Sequence, residues 1–166
     1  MFELDSSQIE EYRKDKPEYY RQLALQLGAL LGEDTNVVTN MAQTSAFIYQ
    51  MIPDLNWSGF YVANPDKSNH LILGPYQGKV ACVHIPFGRG VCGAAAETQQ
   101  TQLIKDVNQF SGHIACDAAS NAEVVAPIIV DGKTVGVLDI DSPTVGRFSA
   151  EDAEMFARIA AICATF

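Results

Sequence analysis

The stretch 123-EVVAPIIVDGKTVGVLDI-140 carries two β-rich runs, Glu123 to Val130 and Thr134 to Ile140, which meet at Asp131-Gly132. Asp-Gly between two apolar runs is a strong short-range signal for an antiparallel hairpin. The segments before it read as further strands. Leu55 to Val62 alternates in character, His70 to Leu73 is its hairpin partner, Val80 to Pro86 forms a third strand, and Leu103-Ile104 is a brief one. Upstream the period changes to that of a helix. Pro17 to Leu31 gathers leucines in one arc between a proline suited to a first turn and Gly32. A second helix starts near Asp34-Thr35 and runs to Ile52, where Pro53 ends it. Downstream, Ser149 followed by Glu151 and Asp152 opens a closing amphipathic helix. Helices, a run of strands and a last helix specify an α+β fold with an antiparallel sheet of about six strands and helices mainly on one face.

Composition narrows the function. The 166 residues are 48% apolar and carry a net charge of −9. That suits one domain over 1–166, with 1–32 as an N-terminal helical extension. The negative field disfavours nucleic acid and anionic membrane as partners and favours a small cationic or zwitterionic ligand. The polar N-terminus has no apolar signal region and no run is long enough to span a bilayer, so the expected location is cytoplasmic.

Four cysteines are present, Cys82, Cys92, Cys116 and Cys163, without a C-x-x-C pair. A cytosolic chain of this length has no need of staples, so they are read as free thiols. Cys163 falls beside Ile159 and Ile162 on the closing helix and reads as a small buried hydrophobe. Cys92 follows the glycine-rich turn 87-FGRGVCG-93 at a helix start. Unpaired N–H groups and Arg89 there favour a thiolate, which makes Cys92 the most acidic thiol on local electrostatics. Cys116 lies in the long loop Asp106 to Asn121 among small residues that leave its sulfur accessible, with His113 nearby in sequence. Cys82 stands two residues before His84 on the third strand and thus on the same face. A metal site from Cys82, His84, Cys92, His113 and Cys116 matches no common zinc spacing, and no metal is expected.

Asp139 and Asp141 alternate with Leu138 and Ile140, so both carboxylates share a face. Under a three-residue hairpin loop with a bulge, Glu123 lies across from Asp139. Under a two-residue turn it falls on the other face. In the first register three carboxylates share a surface that a proton or an ammonium group would relieve. Trp57, Gly59 and Tyr61 share one face of the first strand, where an aromatic pair forms a wall for a methyl group or a cation.

The stretches NWSGFYV (56–62), LGPYQGKVACVHIPFGRGVCG (73–93), GHIACDAASNAEVVAPI (112–128) and GVLDIDSP (136–143) resemble the free methionine-(R)-sulfoxide reductases, enzymes built on a GAF domain. The resemblance implies a GAF-like fold and thiol-dependent reduction of free L-methionine-(R)-sulfoxide without a cofactor. Cys116 would attack the sulfoxide sulfur and become a sulfenic acid, which Cys82 or Cys92 would condense with to a disulfide. Thioredoxin would then reduce that disulfide. Beside this, Glu123, Asp139 and Asp141 would hold the substrate ammonium, and Trp57 and Tyr61 would pack its methyl-sulfoxide end. The resemblance also implies a homodimer. The rival reading is a non-enzymatic GAF module, sensing either a small ligand or thiol oxidation.

Overall fold

The computed structural model describes residues 2–33, 35–112 and 119–166. Six strands form one antiparallel sheet, β1 (Trp57–Ala63), β2 (His70–Gly78), β3 (His84–Pro86), β4 (Gln102–Ile104), β5 (Ala122–Val130) and β6 (Lys133–Ser142), in spatial order β3-β2-β1-β6-β5-β4. The helices are α1 (Ser6–Lys14), α2 (Lys16–Leu31), α3 (Val37–Met51), α4 (Gly90–Thr98) and α5 (Ala150–Cys163), with a 3₁₀ turn at Val107–Gln109. The α+β reading holds. No described helix is long and apolar enough to cross a membrane.

The strand period of two sorts the sheet's side chains into two cores. On one face Phe60, Val124, Ala126, Ile128, Leu138 and Ile140 meet Leu27 of α2, Phe47 and Ile48 of α3, and Phe156 and Ile159 of α5. On the other, Trp57, Tyr61, Val125 and Val137 meet Val91, Cys92, Ala95 and Ala96 of α4. Cys163 belongs to the first core, on the far side of the sheet from Trp57, Tyr61 and Cys92.

Helix starts follow their capping chemistry. Asp5 closes a capping box with Gln8, Asp15 accepts from the Glu18 N–H with Pro17 in the first turn, and Asn36 accepts from Thr39. Residues 6–14, read from sequence only as a polar start, thus form a helix of their own that lays Tyr12 against Tyr19. At α5, Asp152 sits inside the protein with no exposure. Its Oδ2 accepts the Ser149 N–H at 2.7 Å and Lys16 Nζ at 2.9 Å. Its Oδ1 accepts the Tyr20 hydroxyl and faces Arg147 Nη1 at 3.5 Å. One buried carboxylate therefore ties α2 to α5.

Three local readings are corrected. The first is the extent of β2, which continues past Leu73 through Gly74-Pro75 to Gly78. Those two residues read as breakers, but β2 is adjacent to the short β3 and bulged against β1, so the ladder tolerates them. The second is the third strand, which is only His84–Pro86. Cys82 lies outside it, in the connection, and no shared strand face links it to the exposed His84. The third is the hairpin, discussed next.

Candidate active site

The turn has two residues, Asp131 and Gly132, with φ of 49° and 74°, and Val130 opposes Lys133. Both torsions are positive, as the preferred two-residue hairpin turn requires. That turn alone would send Glu123 to the helix-covered face. A register shift between Ile128 and Ile129 adds one residue to β6 and restores the parity, so Glu123 opposes Asp141 and Val125 opposes Asp139. The expected pairing of Glu123 with Asp139 is thus corrected by one dipeptide. The three acids nevertheless share a face, because the bulge supplies the odd residue the turn lacks.

β1 brings the aromatic wall alongside. Trp57 opposes Asp141 and Gly59 opposes Asp139 on β6. Trp57 stacks on Tyr61 at 5.9 Å and on Tyr76 at 5.1 Å, the latter only 14° from parallel. Its indole N–H donates to the Lys79 carbonyl at 3.1 Å, which fixes the ring plane. Gly59 is what lets β2 approach, since a Cβ there would lie 2.2 Å from Tyr76 Cβ. Tyr76 is the member of the aromatic stack that the sequence reading missed. The only signal for it was its place within LGPYQG, where Gly-Pro argued against a strand.

α4 closes the cluster from above. Gly93 permits the close approach of the helix start to β3, because a Cβ there would meet the Pro86 carbonyl oxygen at 2.3 Å. Cys92, one residue earlier, then points at the acids. Its Sγ donates to Asp139 Oδ2 at 3.3 Å and lies 3.9 Å from Glu123 Oε1. Cys92, Glu123 and Asp139 are 4%, 7% and 6% exposed. Among the described residues, Asp139 Oδ1 is buried without a hydrogen-bond partner.

This geometry overturns the expectation that Cys92 is the acidic thiol. Burial, then the negative charges of Asp139 and Glu123, raise its pKa well above the ordinary thiol value. The helix-terminus effect is worth at most about 2 kcal/mol, and it loses to desolvation plus two carboxylates at close range. Cys92 is a neutral thiol that donates a hydrogen bond. Burial likewise pushes Asp139 up to about 6 against the lowering hydrogen bonds from Cys92 and Glu123. Glu123 is raised further, by burial first and then by the charges of Asp139 and Asp141. One proton held on Glu123 and shared toward Asp139 accounts for both directions. Tyr61, buried beside the same acids, has its hydroxyl pKa raised by desolvation first and Asp139 second.

A carboxyl whose folded pKa is raised costs stability as pH rises through that value. Glu123→Gln is therefore expected to increase the unfolding free energy at pH 8 by roughly 1–3 kcal/mol, with the gain fading below pH 5. Urea denaturation at the two pH values checks it, and a loss of stability at pH 8 would show the acids are already compensated.

The thiol nominated for attack, Cys116, and its neighbour His113 lie outside the described residues. Cys82 is disulfide-bonded, whereas Cys92 and Cys163 are free. The Tyr61 hydroxyl donates to the Cys82 carbonyl at 3.1 Å, which joins the segment carrying the oxidised sulfur to the aromatic and acidic face. Cys92, Glu123, Asp139, Asp141, Trp57 and Tyr61 are thus brought to one side of the sheet, with Cys82 at its edge.

A curled antiparallel sheet with helices on one face and a short helix over a buried polar cluster on the other is the architecture of a GAF domain, and residues 38–166 match the family model described as GAF domain. The free methionine-R-sulfoxide reductase of Escherichia coli (strain K12) is 50% identical over 140 residues, spanning 84% of this chain and 83% of that one. The enzyme of that description from Saccharomyces cerevisiae (strain S288c) is 46% identical, with 88% and 84% covered. The X-ray structure of the free methionine-R-sulfoxide reductase from Neisseria meningitidis in complex with its substrate superposes with a TM-score of 0.86 at 38% identity, covering 90% of this chain and 89% of that chain. The chain belongs to the free methionine-R-sulfoxide reductase family of GAF-domain proteins.

Proposed function

We propose that the protein is an oxidoreductase that reduces free L-methionine-(R)-sulfoxide to methionine with its own thiols. The observation that carries the reading is Tyr61, which bonds the Cys82 segment while packed among the aromatic and acidic side chains of this face. A disulfide beside a pocket of that composition suits a redox cycle run on a small zwitterion. The relatives named for this activity support the substrate.

In the proposed cycle the Cys116 thiolate attacks the sulfoxide sulfur. Glu123, whose carboxyl burial and the charges of Asp139 and Asp141 hold well above the ordinary range, gives its proton to the sulfoxide oxygen. The oxygen passes to Cys116 as a sulfenic acid and methionine leaves. The Cys82 thiol then condenses with the sulfenic acid, releasing water and forming the disulfide. A dithiol reductant of the thioredoxin class returns both sulfurs to thiols. Asp139 and Asp141 hold the substrate ammonium, and Trp57 and Tyr61 pack its methyl end. Cys82 is preferred over Cys92 as the resolving residue, since Cys92 is a buried, neutral thiol engaged with Asp139. The reading places the enzyme in the reducing cytoplasm as a homodimer, with no cofactor, and treats 1–166 as one domain with 1–32 as its helical extension.

The test is NADPH consumption in a thioredoxin and thioredoxin reductase system supplied with each sulfoxide epimer. Turnover of the R epimer alone is expected, and no consumption with either epimer would favour a sensor. In the same assay Cys82→Ser is expected to lose at least about 10²-fold in steady-state rate while one equivalent of methionine still forms per protein. Cys92→Ser retains disulfide formation. The opposite pattern, detected by mass mapping of the joined sulfurs, would make Cys92 the resolving residue.

A further inference from the structure

The buried cluster of Cys92, Glu123 and Asp139 contains more electron-pair donors than protons. Four carboxylate oxygens and one sulfur share a space in which each residue offers a ligand atom within 4.8 Å of the others. The one thiol proton goes to Asp139 Oδ2, and Asp139 Oδ1, inside the protein, has no partner among the described residues. A proton on Glu123 relieves the charge in part, the Asp139 oxygen remains open to a cation, and the geometry constrains which kind. Zinc bonds of about 2.3 Å to sulfur and 2.0 Å to oxygen set the tetrahedral sulfur–oxygen edge at about 3.5 Å. The observed separations from Cys92 Sγ are 3.3 and 3.9 Å. A mixed sulfur and carboxylate set suits a borderline ion such as zinc, whereas magnesium and calcium take oxygen ligands only.

We propose that Cys92, Glu123 and Asp139 form a binding site for zinc-class divalent cations, with a fourth position left for water, and that occupancy blocks the pocket. Binding replaces the Cys92 S–H by a sulfur–metal bond and the Glu123 carboxyl proton by an oxygen–metal bond, and releases both protons to solvent. Nothing is oxidised or reduced. Metal binding stands on the cluster alone. The inhibition that follows rests on the proposed function, because the metal takes Asp139, assigned to the substrate ammonium, and Glu123, assigned to protonate the sulfoxide, and so competes with the substrate.

Cobalt(II) is the probe, since its bond to a thiolate gives a charge-transfer band in the near ultraviolet and a tetrahedral site gives visible bands. The full chain carrying Cys82→Ser and Cys116→Ser retains Cys92 and Cys163 as its thiols, so the band reports on those two alone. One equivalent of cobalt is expected to produce both signals, and one equivalent of zinc to abolish them. Adding Cys92→Ser should remove the charge-transfer band and weaken binding at least 10-fold, while adding Cys163→Ser leaves both unchanged. Absence of the band, or its persistence without Cys92, overturns the site. If the Cys92 variant does not fold, Glu123→Gln replaces it and must weaken cobalt binding, and unchanged affinity overturns the proposal equally. Neither readout needs turnover, so failure of the proposed reductase activity leaves this test intact. In wild type, zinc inhibition that higher substrate relieves is the expected result if both readings hold.

Discussion

Cys116→Ser is expected to lower turnover of free methionine-(R)-sulfoxide by at least about 10³-fold, while Cys163→Ser remains within twofold of wild type. The reason is the chemistry of the first step. A serine hydroxyl is a poor nucleophile toward sulfoxide sulfur at neutral pH, and an oxygen there cannot later close a disulfide. Cys163 is at the opposite extreme. It sits in the core on the other face of the sheet, and burial pushes its thiol up to about 12. The thioredoxin-coupled assay measures both variants. Equal losses would mean that the reacting sulfur has been misassigned, and full activity in Cys116→Ser would remove the proposed mechanism.

Asp152→Ala should cost about 3–5 kcal/mol of stability, the penalty for removing one member of a buried ionic group. The carboxylate has no exposure and is bound by Tyr20, Lys16 and Ser149, with Arg147 beside it. Its removal leaves Lys16 and Arg147 facing a void and separates α2 from α5. Burial raises its pKa, but the hydrogen bonds from Tyr20, Ser149 and Lys16 outweigh that and hold it below the ordinary carboxylate value. A depressed folded pKa contributes stability that is present above the unfolded value and disappears as pH falls through the folded one. Wild type should therefore lose stability on acidification, and the variant should show less of that loss. Chemical denaturation as a function of pH measures it. A cost below 1 kcal/mol would show that the group behaves like an exposed pair.

Asp152 and the pair Glu123 and Asp139 respond to pH in opposite directions for one reason. Both are removed from water, but Asp152 has hydrogen-bond donors and two cations around it, whereas Glu123 and Asp139 have each other and a thiol. The Glu123–Asp139 cluster is an electrostatic deficit that the rest of the fold sustains, and the proposed cationic group would relieve it.

Much of the architecture was written in local sequence. Asp131-Gly132 set the hairpin, the alternation of Leu138 and Ile140 with Asp139 and Asp141 separated core from pocket, and caps and prolines marked the helices. These signals involve residues within a turn or two of each other, where backbone geometry dictates who shares a face. The family motifs likewise stand in contiguous stretches. What tertiary structure decided depends on partners distant along the chain. The bulge between Ile128 and Ile129 set which acid opposes Glu123. The approach of β2 over Gly59 placed Tyr76 on Trp57. Above all, the helix start at Cys92 argued for a thiolate when read alone, and burial, followed by the charges of the carboxylates that β5 and β6 bring beneath it, reverses the sign. A sequence window reports the dipole of its own helix, but the desolvation and charge that decide a pKa come from whatever the fold packs against it.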